Sequence, residues 1–189
     1  MPRLASQNKE IKDERRQSIL NASLVVFALY GKDNTTVDLL TSASKCSHGL
    51  FYHYFKNVDQ VYDSLFKLPK LIEIKQKILD TNRLYSFQKL EDVVINLLNV
   101  LSSDKDSISI TAILLDDREK DSLFNNISYL IQKGQKEGDV TGGDPDDIAT
   151  TFTYIFKGYC SSYLTHKRNK PMLPDKDIVL ELFRRRSRI

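Results

Sequence analysis

The chain has 189 residues, 41% of them hydrophobic, which suits one domain or two small ones that share a core. Its two cysteines lie far apart and exclude a disulfide framework, and no apolar run approaches the length of a membrane span. The net charge of +3 is too small to indicate nucleic-acid binding by itself, although residues 1–56 carry the whole excess. The N-terminus lacks the apolar core of a secretory signal, so we expect a cytoplasmic protein.

The first predicted helix runs from about Lys9 to Tyr30, after a polar arm that we expect to be solvated. Gly31 suits its end, because glycine readily adopts the left-handed backbone that closes many helices. The residues of its inner face recur at helical spacing and are predicted to be Ile19, Ser23, Val26, Phe27 and Tyr30.

Two short helices with a tight turn are predicted between Thr35 and Phe55. Thr35 and Asp38 have the spacing of a capping box for the first helix, and Ser47 is a good N-cap for the second. The second helix turns Phe51, Tyr54 and Phe55 to one face, and its outward side consists of His48, Gly49, Leu50, Tyr52 and His53. So short a helix has no physical reason to expose a tyrosine and two histidines to water. Contact with an anionic partner rich in hydrogen-bond acceptors would explain this exposure. The pattern therefore predicts a helix-turn-helix whose second helix enters the major groove.

The rest of the chain also predicts helices. Asn57, with Gln60 three residues later, opens a fourth helix that Pro69 must break or kink. Asp144 followed by Pro145 is a strong helix start. The other predicted helices cover residues 71–79, 86–102, 107–115, 119–137 (ended by Gly138) and from about Pro174 onward.

The residues of the helix-turn-helix resemble the signature of the tetracycline-repressor (TetR) family of bacterial transcription regulators. The likeness rests on Val37, Leu40, Ser47, Gly49 and the run Tyr52 to Phe55, and it extends from Ile19 to Asn57. It implies an all-α homodimer with a helix-turn-helix DNA-binding domain at 1–56 and a helical ligand-binding and dimerisation domain at 57–189. The implied function is a ligand-responsive regulator, expected to be a repressor that binds a palindromic operator and is released by a small molecule. The alternative is a DNA-binding dimer without a small-molecule ligand, controlled by a protein partner.

The resemblance also implies contacts with DNA. Phosphate contacts are expected from Ser47, Tyr52, His53 and Lys56, and base contacts from His48, Leu50 and Lys45, while Gly49 permits close approach. Thr36 is also expected to contact DNA. Lys45 stands where the family usually has glycine, and a left-handed backbone there would cost roughly 1 kcal/mol. Val58 replaces a common phosphate-binding lysine, and Asp38 either caps its own helix or touches DNA.

Two further sites are expected in the second domain. An apolar ligand pocket is predicted from Tyr62, Phe66, Phe87, Asp116, Phe124 and Tyr129, with a solid core as the alternative. In it Asp116 could neutralise a cationic ligand, or could simply lie in a solvated acidic corner. The last two predicted helices carry apolar surface for a four-helix bundle across a two-fold axis, through Phe152, Phe156, Tyr159, Leu182 and Phe183.

Catalysis and metal binding find little support in the sequence. There is no glycine-rich phosphate loop, nucleophile elbow or zinc-binding helix motif. Cys46, His48 and His53 lack a convincing fourth ligand, and the thiol is expected to be buried. We therefore predict no enzyme activity, no metal and no cofactor.

Overall fold

The computed structural model describes residues 5–166 and 172–185, with side chains from Ile11 onward. The predicted all-α class is confirmed, and an isolated bridge between Val140 and Arg184 is the extent of β pairing in these described ranges. No helix of the described chain has both the length and the apolarity needed to cross a membrane. The helices in chain order are α1 (Ala5–Tyr30), α2 (Val37–Ser44), α3 (His48–Tyr54), α4 (Val58–Leu65), α5 (Pro69–Leu79), α6 (Ser86–Leu101), α7 (Lys105–Asp116), α8 (Leu123–Glu137), α9 (Pro145–Thr165) and α10 (Lys176–Leu180).

The chain divides into two compact units, Met1–Leu71 and Ile72–Ile189, with the division inside α5. By its packing, α4 belongs with the first three helices, whereas a boundary after residue 56 would separate α4 from them. The reason is that Val61 and Leu65 of α4 are fully buried, and Arg16 of α1 donates a 3.0 Å hydrogen bond to Ser64.

The first unit is a small bundle in which α1 packs against α2 and α4. Helix α1 starts at Ala5, so the solvated arm expected for residues 1–9 is helical over its second half, and the remainder lies outside the described residues. The prediction that Tyr30 belongs to the inner face of α1 is wrong, because its side chain is 48% exposed at the helix end. The predicted glycine end is confirmed by the positive φ of Gly31. The buried apolar residues of this unit include Ile19, Leu20, Leu24, Phe27, Leu40, Phe51, Phe55, Val61 and Leu65.

Helix α7 lies at the centre of the second unit, in contact with α6, α8 and α9. Every residue from Ser107 to Leu115 is buried, as expected for a helix surrounded by protein on all sides. Its buried hydroxyls are satisfied within the helix: Thr111 donates to the Ser107 carbonyl at 2.7 Å and Ser109 to that of Lys105 at 2.9 Å. Polar residues in this central helix therefore do not oppose burial.

Most helix ends in the second unit follow their local sequence signals. The predicted N-cap Asp144 accepts from the backbone N–H groups of Asp146 and Asp147, and Gly138 ends α8 with φ of 89°. The predicted start of α8 near residue 119 is wrong, because Ser122 caps the helix through the Asn125 N–H at 3.1 Å. Pro69 is the first residue of α5, so the predicted break is confirmed.

The C-terminal segment differs most from its prediction. Instead of a long helix from Pro174, α10 has five residues and packs on α6. The chain then joins the loop after α8, where the Thr141 N–H donates to the Phe183 carbonyl at 2.8 Å. Arg185 reinforces this contact by donating to the Gly138 carbonyl at 3.0 Å. This segment closes the core of its own unit.

Candidate nucleic-acid interface

The two helices of the predicted helix-turn-helix start at side-chain caps. Ser47 caps α3 as predicted, with its hydroxyl accepting from the Leu50 N–H at 3.2 Å. The predicted capping box of Thr35 and Asp38 is wrong: the N-cap of α2 is Thr36, which accepts from the Leu39 N–H at 3.3 Å. Thr35 is buried and donates instead to the Gly31 carbonyl at 2.6 Å. The predicted cap was one residue too early, because two adjacent threonines have the same hydroxyl group and the sequence does not distinguish them as N-caps.

The turn between α2 and α3 contains a strained residue. Lys45 has φ 50° and ψ 45°, the left-handed conformation, at a cost of about 1 kcal/mol for a non-glycine residue. The turn is held by Cys46, whose N–H donates to the Thr41 carbonyl at 3.0 Å, and by Arg15, whose guanidinium donates to the Lys45 carbonyl at 3.4 Å. The Cys46 thiol is half-buried rather than buried as expected, and its Sγ lies 3.1 Å from the Ser44 hydroxyl.

Helix α3 has one face in the core and one in solvent. Phe51 and Phe55 are buried with their ring centroids 5.9 Å apart, and the Arg16 guanidinium lies 4.9 Å from the Phe55 ring. Tyr54 is only half-buried, at the edge of that face. Of the nine predicted DNA-contact residues, Leu50 is half-buried, and the exposed ones are Thr36, Lys45, Ser47, His48, Gly49, Tyr52, His53 and Lys56. Local structure thus brings these residues to the surface of one helix-turn-helix.

The exposure of α3 is not explained by the protein's own packing. Tyr52 is 57% exposed, although a tyrosine ring gains free energy from burial. A Cβ added at Gly49 would meet no heavy atom within 4 Å, so nothing within the chain requires a glycine there. Glycine inside a helix costs roughly 0.5–1 kcal/mol relative to alanine. Packing within the chain therefore gives no reason for a glycine at this position.

One side-chain contact on this surface was missed from the sequence. Asp38 Oδ1, in the first turn of α2, lies 3.0 Å from Nε2 of His48, the first residue of α3. Asp38 therefore contacts α3 rather than capping its own helix. The two residues are ten positions apart, and only the geometry of the intervening turn brings them together. The available signal was a carboxylate and an imidazole in the first turns of consecutive helices.

Helix α4 begins directly after the surface of α3. Asn57 caps it as predicted, accepting from the Gln60 N–H at 2.9 Å, while Gln60 accepts from the Lys56 N–H at 2.6 Å. The backbone at Lys56 is thereby held in place, with its side chain exposed. Lys32 and Asp59 form an exposed ion pair in this unit, at 3.3 Å. Within the described residues, no group of three or more His, Cys, Asp or Glu side chains could hold a metal ion.

The six residues predicted to line a ligand pocket have separate surroundings. Tyr62 and Phe66 belong to the first unit and pack together, with ring centroids 5.2 Å apart. In the second unit Phe124 is buried beneath the Arg118 guanidinium, 4.0 Å from its ring, and Asp116 pairs with Lys157 at 2.5 Å. Tyr129 is 61% exposed.

Phe87, one of these six, lines a groove of the second unit. The groove measures about 440 Å³ and contains Tyr85, Phe87, Gln88, Gly138, Asp139, Arg184 and Arg185. It is bordered by the start of α6, the end of α8 and the C-terminal segment. The apolar pocket itself stays a prediction.

The predicted dimer interface requires correction. Phe152, Phe156 and Phe183 are fully buried within one chain, with Phe152 4.9 Å from Phe156 and 5.3 Å from Phe183, so they cannot contact a partner. They form the core beneath α9. Leu182 and Tyr159 are half-buried. The outer face of α9 carries a groove of about 510 Å³ lined by Tyr154, Ile155, Gly158, Tyr159, Ser162, Tyr163 and Met172.

Comparison with known sequences supports the helix-turn-helix assignment. The sequence model of the family described as "Bacterial regulatory proteins, tetR family" matches residues 19–65, the segment that contains α2, α3 and α4. An uncharacterized HTH-type transcriptional regulator of Bacillus subtilis (strain 168), YhgD, is 23% identical over 187 residues, covering 90% of this chain and 94% of its own.

Comparison with solved structures extends the likeness to the whole fold. A tetR-family regulatory protein from Rhodococcus RHA1 superposes with a TM-score of 0.57 at 16% identity, over 92% of this chain and 98% of its own. SmeT, the repressor of the Stenotrophomonas maltophilia multidrug efflux pump SmeDEF, superposes with a TM-score of 0.52 at 18% identity, over 90% of each chain. SmeT has also been solved as a complex with triclosan.

Proposed function

The chain belongs to the TetR family of transcriptional regulators, and on that premise we propose that it is a repressor that binds a palindromic operator as a homodimer and leaves it when a small molecule binds. Two copies of α3 would enter successive major grooves on one side of the duplex. In a two-fold dimer the half-sites then lie about 34 Å apart or a multiple of that, one helical turn of DNA.

The observation that carries the proposal is the exposed face of α3. It presents His48, Gly49, Tyr52 and His53 to solvent on a helix whose other face is anchored by Phe51 and Phe55. A rigid helix with exposed hydrogen-bonding side chains and a glycine suits close contact with the groove. The basic excess of residues 1–56 favours association with phosphates.

The residues of this face divide into base-reading and phosphate-binding groups. His48 lies at the N-terminal end of α3, the part of a recognition helix that usually reaches base edges, and half-buried Leu50 could contact a thymine methyl group. Lys56 follows two turns later and would bind phosphate, as would Ser47, Tyr52 and His53. Lys45, exposed in the turn, would face the base edges, and Thr36, exposed before α2, would border the groove.

The proposed effector control follows from the family and from one structural neighbour. SmeT, of the same fold, forms a complex with triclosan, which supports a small-molecule effector here. The effector would bind more tightly to a state in which the two recognition helices no longer fit the operator. DNA and effector would then weaken each other's binding by the same factor.

Homodimerisation would use the outer face of α9. Tyr154, Ile155, Tyr159 and Tyr163 leave an apolar, aromatic groove on that helix, and tyrosine is enriched at protein interfaces. Helix α8 packs beside α9 and could complete a bundle across the two-fold axis.

The proposal is tested by separating base reading from anchoring. His48→Ala should cost about 1–3 kcal/mol on an operator selected from random duplexes, and much less on scrambled DNA. Lys56→Ala should weaken both duplexes about equally and lower the salt slope of log K by about one unit, because one phosphate contact is lost. Fluorescence anisotropy titrations at several salt concentrations measure both effects.

Lys67→Ala is the matched control, since Lys67 is an exposed lysine beyond the end of α4 in the same unit. It should leave the salt slope of the wild type unchanged. If His48→Ala weakens operator and scrambled duplex to the same extent, α3 does not read bases and the proposed placement in the groove is wrong.

A further inference from the structure

The contact between the Asp38 carboxylate and the His48 imidazole links the two helices of the helix-turn-helix on its exposed side. Asp38 Oδ1 lies 3.0 Å from His48 Nε2, yet the side chains remain 83% and 58% exposed. Water and salt screen the attraction of so exposed a pair, and it adds little to the stability of the fold. Its main consequence is geometric, because it restricts the orientation of the imidazole ring at the start of α3.

The carboxylate of Asp38 has no other evident role. The N-cap of α2 is Thr36, so capping does not require Asp38. An acidic residue in the first turn complements the helix dipole, but a carboxylate beside DNA also repels phosphates. A residue that opposes DNA association on a DNA-binding surface needs a compensating role, and its contact with His48 supplies one.

The contact also determines which ring nitrogen remains for DNA. A carboxylate only accepts hydrogen bonds, so Nε2 of His48 carries the ring hydrogen and donates a hydrogen bond to Asp38. Nδ1 is then the ring nitrogen left for a base. In the neutral ring it is an acceptor, which matches the amino groups of adenine and cytosine in the major groove.

We infer that Asp38 is a positioning residue that sets the base preference of His48 without itself binding DNA. The inference rests on the proposed function, since it requires α3 to read the major groove. Without Asp38 the ring can rotate and present either nitrogen, as donor or as acceptor. The preference at the base pair beneath His48 should then broaden, while the preferences elsewhere in the operator stay the same.

The experiment compares base preferences among variants. A library of randomised duplexes is selected with wild type, Asp38→Ala, Asp38→Asn, His48→Ala and the double variant. Asp38→Ala should broaden the base preference at the same base pair as His48→Ala does. It should also weaken binding to the wild-type operator about two- to fivefold, the range expected for an exposed pair. On scrambled duplex it should bind as well as wild type or better, because a negative charge is removed. In the His48→Ala background it should not change the base preference further.

Two variants control for charge and folding. Asp59→Ala also removes an exposed carboxylate from an ion pair of the same unit, with Lys32 at 3.3 Å, and should leave every base preference unchanged. Asp38→Asn keeps an oxygen acceptor in place and should retain most of the wild-type preference. Far-ultraviolet circular dichroism of each variant establishes that the helices are intact.

The outcomes separate this inference from the proposed function. If wild type selects an operator but Asp38→Ala leaves all preferences unchanged, the inference is overturned and the proposed function stands. If Asp38→Ala alters the base preference at a different base pair, or changes the base preference in the His48→Ala background, Asp38 contacts DNA directly. The inference is then again overturned. If wild type selects no common sequence, both are overturned.

Discussion

At Gly49, the residue that would best stabilise the fold differs from the residue that the proposed DNA binding would favour. Its added Cβ would meet nothing within 4 Å, and it lies inside α3, where glycine is less favourable than alanine. Fold stability alone would therefore favour alanine. The proposed close approach of the α3 backbone to DNA would favour glycine, so folding and the proposed binding favour different residues at this position.

Gly49→Ala should therefore raise the free energy of unfolding by about 0.5 kcal/mol while weakening DNA binding. The methyl group lowers the entropy of the unfolded chain and holds the backbone of α3 away from the groove. Urea denaturation and duplex titration of the same preparation measure the two effects. A variant that is more stable and binds the operator as tightly as wild type would contradict close approach at this position.

At the scale of elements, the loop after α8 turns back over the helix that precedes it. Val140 packs so closely on Gly134 that a Cβ there would lie 2.3 Å from Val140 Cγ2. The same loop pairs with the C-terminal segment through Thr141 and Phe183. A glycine in the last turn of α8 thus allows the loop to reach the position in which the C-terminal segment joins it.

Gly134→Ala should lower the free energy of unfolding by about 1–3 kcal/mol, because the loop or α8 must shift to relieve the overlap. Gly142→Ala is the control in the same loop, since its Cβ would meet nothing within 4 Å, and it should change stability little. Chemical denaturation of both variants provides the comparison. Equal stability of the two would show that the loop is not held against α8.

The whole molecule is proposed to act as a dimer, and the buried phenylalanines limit where two copies can meet. Because Phe152 and Phe156 face the core, only the opposite side of α9 is free for a partner. That side holds Tyr154, which is 60% exposed, and the groove around Tyr159. A stable homodimer interface of the obligate kind buries more than about 2,000 Å² and resembles a split core.

Wild type should sediment as a dimer at micromolar concentration, and Tyr154→Glu should shift it toward monomer, because a carboxylate buried against the partner would be desolvated. Tyr85→Glu is the matched control: Tyr85 is 57% exposed in the same unit but lies at the start of α6. It should leave the sedimentation coefficient unchanged. A monomeric wild type would contradict both the interface and the palindromic operator.

The sequence by itself determined the features that depend on neighbouring residues. Ser47, Asn57 and Asp144 cap their helices as predicted, because a cap hydrogen bond spans only two or three residues. Gly138 ends α8 as predicted, with the left-handed backbone that glycine adopts readily. The all-α class and the helix-turn-helix followed from such local signals together with helical periodicity.

Only the tertiary structure decided which faces meet one another. Periodicity places Phe152, Phe156 and Tyr159 on one long helix, but it cannot distinguish burial in the same chain from burial against a partner, since both remove apolar surface from water. The contact between Asp38 and His48 likewise depends on the angle at which the turn sets α2 against α3. Such contacts join residues distant in the chain, and no local pattern specifies the path that brings them together.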